Sequence, residues 1–161
     1  MATTSDDCSR FCTATHPEEC VDRRPGRYFV AIYWLQNGSG HRVQTSELGE
    51  YLGVQPASVT GMLGRLDDTS LVEYERYRGV KLANRGDTVA QELAWRQCTV
   101  RVFFAVHLDL ELNAHTAYRI GYTLPTHGIE RLTDLVDCHQ KTPCCRPTSA
   151  ESACLFSIQT C

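Results

Sequence analysis

The sequence contains no hydrophobic stretch that approaches the roughly 18 residues needed to cross a bilayer, so we expect no membrane segment. Its first ten residues, MATTSDDCSR, lack the apolar core of a secretory signal, and we expect a cytoplasmic protein. Positive charge is not in excess, because 16 Lys and Arg face 19 Asp and Glu, for a net charge of −3. This balance excludes a globally basic nucleic-acid-binding protein but leaves room for a local basic surface.

The common short motifs of enzymes are also missing. There is no Walker loop, no Gly-x-Ser-x-Gly, no His-Glu-x-x-His and no dinucleotide-binding fingerprint. Hydrophobic residues make up 42% and charged residues 22% of the 161 residues, which is enough for one packed domain or two small ones. We therefore expect a folded protein that is not an enzyme.

Cysteine is the residue type that stands out, with nine in the chain. Because we expect a reducing compartment, free thiols or metal ligands are favoured over disulfides. Only Cys98 lies in the middle of the chain, where we expect it to be a small buried hydrophobic residue. The other eight divide the chain into a Cys-containing segment (1–25), a folded body (26–137) and a Cys-rich tail (138–161): Cys8, Cys12, Cys20, Cys138, Cys144, Cys145, Cys154 and Cys161.

The first half of the body has the pattern of a helix-turn-helix. Apolar residues at helical spacing predict a first helix over about 26–37. A second, short helix opens at Thr45 or Ser46, either of which can cap it, and ends at Gly53. A third helix begins at Pro56, after a turn of three residues. A small helical bundle with the same packing pattern is the alternative.

Residues 71–76 and 80–82 alternate on either side of the turn at 77–79, which predicts a β-hairpin. A hairpin directly after a helix-turn-helix is a wing. A long helix capped by Asn84 follows and ends near His107, and two shorter helices cover about 111–123 and 126–136. The expected fold is therefore mostly α with a small β-wing: a winged helix-turn-helix at 26–83 and a helical domain at 84–137.

The third helix carries the short polar side chains that reach base edges and phosphates in the major groove. The N-terminus of the second helix suits phosphate contacts. Residues 76–85 contain four basic residues and no acidic one, so the wing supplies local positive potential. The candidate DNA-binding residues are Thr45, Ser46, Gln55, Pro56, Ala57, Ser58, Thr60, Arg65, Arg76, Arg78 and Lys81.

Four stretches, at 28–33 (YFVAIY), 45–48 (TSEL), 57–66 (ASVTGMLGRL) and 71–80 (LVEYERYRGV), resemble the diphtheria-toxin-repressor and manganese-transport-regulator family. The resemblance covers about 27–137 and is most specific over 54–82. It implies that the helical domain is a dimerisation domain. It also implies a homodimer that binds palindromic operators in double-stranded DNA and represses or tunes iron or manganese homeostasis genes when Fe²⁺ or Mn²⁺ is bound.

The same resemblance places the family's metal ligands on residues that are poor ligands for Fe²⁺ or Mn²⁺, which favour carboxylate and imidazole. Only His115 matches an ancillary ligand position. Either the register is misjudged by one residue in the dimerisation region, or one of Arg27, Arg101 and Arg119 pairs with a carboxylate and replaces the charge of the metal. The positions concerned are Arg27, Val30, Gln97, Arg101, Arg119, Tyr122 and Thr123.

If sensing is retained, we expect it to have moved to the cysteines. Cys8, Cys12, His16 and Cys20 are spaced four residues apart and suit Zn²⁺ or an iron–sulfur cluster, although a segment with incidental cysteines has the same composition. The tail offers a second soft-metal or redox set, Cys138, His139, Cys144 and Cys145. An iron–sulfur or thiol redox-sensing transcription factor therefore remains an alternative, and so does a winged-helix protein-interaction module that does not bind DNA.

Overall fold

The structure is a computed structural model that describes residues 21–36 and 39–136. Within those ranges six helices and a two-stranded sheet confirm the expected mostly helical fold with a small wing. Their order is α1 (Arg23–Gln36), α2 (Thr45–Leu52), α3 (Pro56–Asp67), β1 (Val72–Glu75), β2 (Gly79–Leu82), α4 (Asn84–Leu108), α5 (Ala114–Thr123) and α6 (Thr126–Leu135). None of these described helices is both long and apolar enough to span a membrane.

The turn between α2 and α3 depends on Gly53, whose φ of 64° lies in the left-handed region that glycine adopts without strain. The next amide, that of Val54, donates to the carbonyl of Gly49 at 3.0 Å and closes the end of α2. Helix α3 then buries a stripe of apolar residues at spacings of three and one against α1, α2 and the wing. That stripe is Val59, Met62, Leu63 and Leu66.

Strands β1 and β2 pair antiparallel, with Val72 opposite Leu82 and Tyr74 opposite Val80. Val43, which precedes α2, forms an isolated bridge to Val80 through hydrogen bonds of 2.7 and 2.9 Å. The bridge brings the backbone of Val43 against Gly79, where a side chain would collide with it. The wing is thereby fixed to the segment that leads into the helix-turn-helix.

Helix α4 is the axis of the second half of the molecule, with α5 and α6 packed against it. Gly121 of α5 lies so close to the backbone of Arg96 in α4 that an added Cβ would come within 2.9 Å of it. Helix α1 also packs on α4, so the two halves share this long helix.

Several element boundaries differ from those expected. Helix α1 begins at Arg23, so Pro25 lies in its first turn. The N-cap of α2 is Gln44 rather than Thr45 or Ser46, because the Glu47 carboxylate accepts a hydrogen bond from the Gln44 amide at 2.7 Å. Likewise, α4 is preceded by an extended Ala83, and Asn84 is its first residue.

Candidate DNA-binding surface and metal-ligand positions

Helix α3 presents its polar side to solvent, as the sequence predicts. Gln55, Ser58, Thr60 and Arg65 are all exposed, opposite the buried apolar stripe, and so are Pro56 and Ala57. The Thr60 hydroxyl donates to the carbonyl of Pro56 at 3.1 Å, so its oxygen remains available as an acceptor. Four of these exposed side chains, those of Pro56, Ala57, Ser58 and Thr60, are short enough for the backbone to approach DNA closely.

The N-terminus of α2 is less favourable to phosphate than the sequence indicated. Ser46 is exposed and Thr45 half-buried, as a phosphate contact requires. However, the carboxylate of Glu47 lies in the same first turn and accepts the Gln44 amide hydrogen bond. A negative charge there offsets part of the attraction that a helix N-terminus exerts on an anion.

The wing is a network of mixed charge rather than a purely basic surface. Lys81 Nζ lies 2.9 Å from Glu73, which is its cross-strand partner in the sheet, and Arg78 lies 2.8 Å from Glu75. Arg42, which the sequence analysis missed, forms ion pairs with both carboxylates and donates to the carbonyl of Glu73 at 2.9 Å. The positive potential of the wing is therefore smaller than the run 76–85 indicated.

The tip of the wing adds a residue that sequence reasoning passed over. Tyr77 is 88% exposed and has a φ of 67°, a left-handed conformation that non-glycine residues seldom adopt. The Arg76 guanidinium lies 5.3 Å from the centre of its ring. A strained, exposed tyrosine beside an arginine makes the tip a further candidate for contact with DNA.

The second region of interest is the α1–α4–α5 junction, formed by Trp34 of α1, Gln97 of α4, and Ala114, Tyr118 and Tyr122 of α5. The Trp34 indole donates to Gln97 Oε1 at 2.9 Å, and Gln97 Nε2 donates to the carbonyl of Ala114 at 2.8 Å. Gln97 is buried. One side chain thus joins all three helices.

Two tyrosines fasten α5 to the start of α1. The Tyr118 hydroxyl donates to the carbonyl of Arg23 at 2.9 Å, and the Tyr122 hydroxyl donates to that of Val21 at 2.8 Å. Burial, and then the neighbouring Tyr122, raise the pKa of Tyr118, which keeps its hydroxyl protonated as a donor. Gly26 lies directly against the Tyr118 hydroxyl, where no side chain fits.

Positive charge gathers beside this junction. The pKa of His115 is lowered, first by burial and then by Arg27, Arg119 and Arg23. Arg27 donates to the carbonyl of Leu52 at 2.9 Å. Among the residues that the structure describes, the ion pairs do not involve Arg27, Arg101 or Arg119, so the carboxylate partner expected for one of them is not found there.

Comparison with known proteins identifies the family. Residues 23–80 match the family described as iron dependent repressor, N-terminal DNA binding domain. The chain is 32% identical over 115 residues to the HTH-type transcriptional regulator MntR of Geobacillus thermodenitrificans, covering 71% of this chain and 81% of that protein. The chain belongs to the diphtheria-toxin-repressor and manganese-transport-regulator family. It is also 32% identical to MntR of Bacillus subtilis over 110 residues, 68% of this chain and 77% of the relative.

Solved structures of related fold agree with this assignment. The manganese regulator SloR superposes with a TM-score of 0.59 at 23% identity, covering 70% of this chain. ScaR with bound Zn²⁺ superposes with a TM-score of 0.56 at 23% identity, covering 79% of this chain and 61% of its own. The chain spans about half the length of SloR, 53%. Since the family consists of transcriptional regulators, the expectation that the chain is not an enzyme is confirmed.

The positions that correspond to the family's metal ligands do not fit Fe²⁺ or Mn²⁺. Val30 and Tyr122 are buried in one apolar cluster, Arg119 and Thr123 are exposed, and Gln97 uses both ends of its amide in hydrogen bonds. Across residues 21–36 and 39–136 no group of three or more His, Cys, Asp or Glu side chains is arranged to hold a metal ion. The chain therefore belongs to a metal-dependent family but lacks that family's ligand chemistry here.

The cysteine sites lie outside the described residues, except for Cys98. The residues outside the described ranges include all of the proposed soft ligands at the two ends: Cys8, Cys12, His16, Cys20, Cys138, His139, Cys144 and Cys145. Cys98 is buried in α4, as expected, but its sulfur is in a disulfide. The expectation of a free thiol is therefore wrong for Cys98.

Proposed function

We propose that the protein is a homodimeric, DNA-binding transcriptional regulator that acts in the cytoplasm on a palindromic operator of iron or manganese homeostasis genes. The observation that carries this proposal is the exposed polar face of α3, which is held by the Gly53 turn and an apolar stripe in a chain of this family. Residues 26–83 are the DNA-binding unit and 84–137 the dimerisation unit. Two recognition helices related by a two-fold axis require half-sites about one DNA turn apart.

The side chains divide into two roles. Gln55, Ser58 and Thr60, beside Pro56 and Ala57, read or position the bases. Thr45, Ser46 and Arg65 contact phosphates from the helices. Arg76, Arg78 and Lys81 contact phosphates from the wing, although the last two share their charge with Glu75 and Glu73. Arg65 and Arg76 therefore contribute more to phosphate binding than the paired wing cations do.

The surface around the end of α4 supports the homodimer. Four large hydrophobic side chains are exposed there and on α6: Val106, Leu108, Leu110 and Leu135, at 43, 55, 48 and 60%. A second copy that covers this surface would remove their apolar area from water. Charge variants at Leu108 and Leu135 should dissociate the dimer in sedimentation equilibrium, and an unchanged mass would contradict this interface.

DNA binding is tested with matched variants on random duplex DNA. Arg65→Ala should weaken binding to all sequences about equally and reduce the salt slope by about 0.9, the contribution of one phosphate contact. Arg131→Ala, which removes the same charge from exposed α6, should leave both unchanged. Affinity that is insensitive to salt would instead favour a winged-helix interaction module without DNA binding.

Sequence readout is tested at Thr60. Thr60→Val should shift the preferred sequence, since a base contact discriminates by about 1–3 kcal/mol. Thr123→Val is the control, because Thr123 is also exposed and its hydroxyl also donates to the carbonyl four residues earlier, at 2.9 Å. Equal loss of affinity on every sequence would refute a role for Thr60 in readout.

The effector is proposed to act through the cysteines, since the metal-ligand positions in the body do not fit. Cys8, Cys12, His16 and Cys20 form the first candidate set for Zn²⁺ or an iron–sulfur cluster. The tail cysteines form the second. The visible absorbance and metal content of protein purified without oxygen separate a cluster from bound zinc, and colourless, metal-free protein would contradict both.

A further inference from the structure

The amide of Gln97 occupies a position where the family places a metal-ligating histidine. Its orientation is fixed by its partners, because the Trp34 indole can only donate and the Ala114 carbonyl can only accept. The oxygen therefore points to α1 and the nitrogen to α5. Gln97 accepts from one helix and donates to the next, so it links the helices through hydrogen bonds that require no metal.

The space beside this bridge is filled with apolar side chains. Val30 and Tyr122, both at former ligand positions, pack with Leu93, Ala94 and Tyr118 in a single buried cluster. The tyrosine hydroxyls at the rim of that cluster donate to the carbonyls of Arg23, the first residue of α1, and Val21, which precedes it. A divalent ion placed there would have to displace packed side chains and would find no carboxylate ligand among them.

The electrostatic surroundings oppose a cation as well. Arg23, Arg27 and Arg119 lie near His115, the one residue that matches a family ligand position. Their positive charges repel a divalent metal ion there. Packing, ligand chemistry and charge therefore all disfavour a divalent metal ion at this junction.

We propose that the α1–α4–α5 junction is held by its own side chains, so that the protein binds DNA without a divalent metal ion in this junction. The inference rests on the proposed DNA-binding function. The Gln97 bridge joins the DNA-binding unit to the helical domain, and the two tyrosine hydroxyls hold the start of α1 and the residue Val21 before it. Any regulation must then act through another part of the chain.

The first test compares DNA affinity in a chelator with affinity in excess Mn²⁺, which favours oxygen and nitrogen ligands over thiolates. Duplexes of roughly 30 base pairs hold two half-sites one turn apart and are selected by binding in each condition. We expect the affinities to agree within about twofold. An increase with Mn²⁺ of about fivefold or more, the usual size of allosteric coupling, would overturn the inference.

The melting midpoint of the full chain, measured with and without Mn²⁺, separates this inference from the proposed function. An unchanged midpoint supports a junction without a metal site, whereas a clear rise overturns it, because a bound ligand stabilises the folded state. If no duplex binds in either condition, the proposed function fails, and the melting experiment still decides whether the junction is held without a metal ion.

Variants test whether the bridge performs the linking role. Gln97→Leu removes both hydrogen bonds at nearly constant volume and should lower DNA affinity about three- to tenfold, with no recovery in Mn²⁺. Gln91→Leu is the matched control, because Gln91 lies on the same helix and its side chain bonds, among the described residues, to Asp87 one turn away. Equal affinities for the two variants would overturn the role of the bridge. Trp34→Phe removes the indole N–H that donates to Gln97 and so breaks the hydrogen bond between α1 and α4. If Gln97→Leu does not fold, the DNA affinity of Trp34→Phe is compared with that of Gln91→Leu instead.

Discussion

Replacing Arg96 by methionine tests how the helical domain is held together. The Arg96 side chain is 1% exposed, and among the described residues its guanidinium donates to four groups on three helices and the connection between α5 and α6. Nε bonds to Glu92 at 3.1 Å, one Nη to the carbonyls of Gly121 and Leu124 at 3.3 and 2.7 Å, and the other Nη to the Thr126 hydroxyl at 2.6 Å. Methionine fills similar volume without any donor.

The expected loss follows from this burial. Removing one partner of a buried ion pair costs about 3–5 kcal/mol, and here the carbonyls of Gly121 and Leu124 lose their donor as well. Glu92 is only 17% exposed, so solvent screens little of this cost. For a chain of this size each kcal/mol lowers the melting midpoint by roughly 2–4 °C. We therefore expect Arg96→Met to lower the midpoint by roughly 6–20 °C at fixed protein concentration.

Calorimetry of two variants checks the argument. Arg131→Met, on the exposed side of α6, should melt like the parent protein. If Arg96→Met stays within about 0.5 kcal/mol of the parent, the buried network does not hold the domain together.

The remaining predictions concern α1 and α5. Gly26→Ala should cost about 1–3 kcal/mol in urea unfolding, because its methyl group collides with the Tyr118 hydroxyl, and Tyr118→Phe should recover part of that loss. Arg119→Ala should raise the pKa of His115 in an NMR titration, since burial and the neighbouring arginines lower it, and no change would refute their proximity. Burial raises the pKa of Tyr33 to about 12, above its usual value of 10. The stability that this shift contributes is therefore full below pH 10 and falls as the pH rises toward 12. Tyr33→Phe should reduce that alkaline loss of stability, and an identical stability profile against pH would contradict this assignment.

The parts of the fold that follow from local sequence were predictable. The apolar stripe of α3 and the glycine that ends α2 lie between Gly53 and Leu66, so periodicity and local backbone preference determine them. The observed helix starts differ from the predicted ones by up to three residues, because capping depends on particular side chains. Glu47, for example, caps α2 through the amide of Gln44, three residues earlier.

The charge of the wing was not predictable in the same way. Counting charges over 76–85 leaves out Glu73 and Glu75, which belong to the preceding strand. Antiparallel pairing places Glu73 opposite Lys81, and the turn brings Glu75 to Arg78. The neutralisation depends on strand register, which the position of the turn fixes and a count of residues does not reveal.

The contacts made at the metal-ligand positions were not predictable either, because they also join residues that are far apart in the sequence. Sequence alone showed that the wrong residue types occupy them, but their new partners lie 63 residues away for Gln97 and 101 residues away for Tyr122. If the ligands had simply been lost, buried polar groups without partners would be expected at the former site. Instead the Gln97 amide and the Tyr118 and Tyr122 hydroxyls all bond across helices, and Val30 packs among apolar neighbours. Side chains that satisfy one another in this way are the physical basis of the proposal that the junction needs no metal ion.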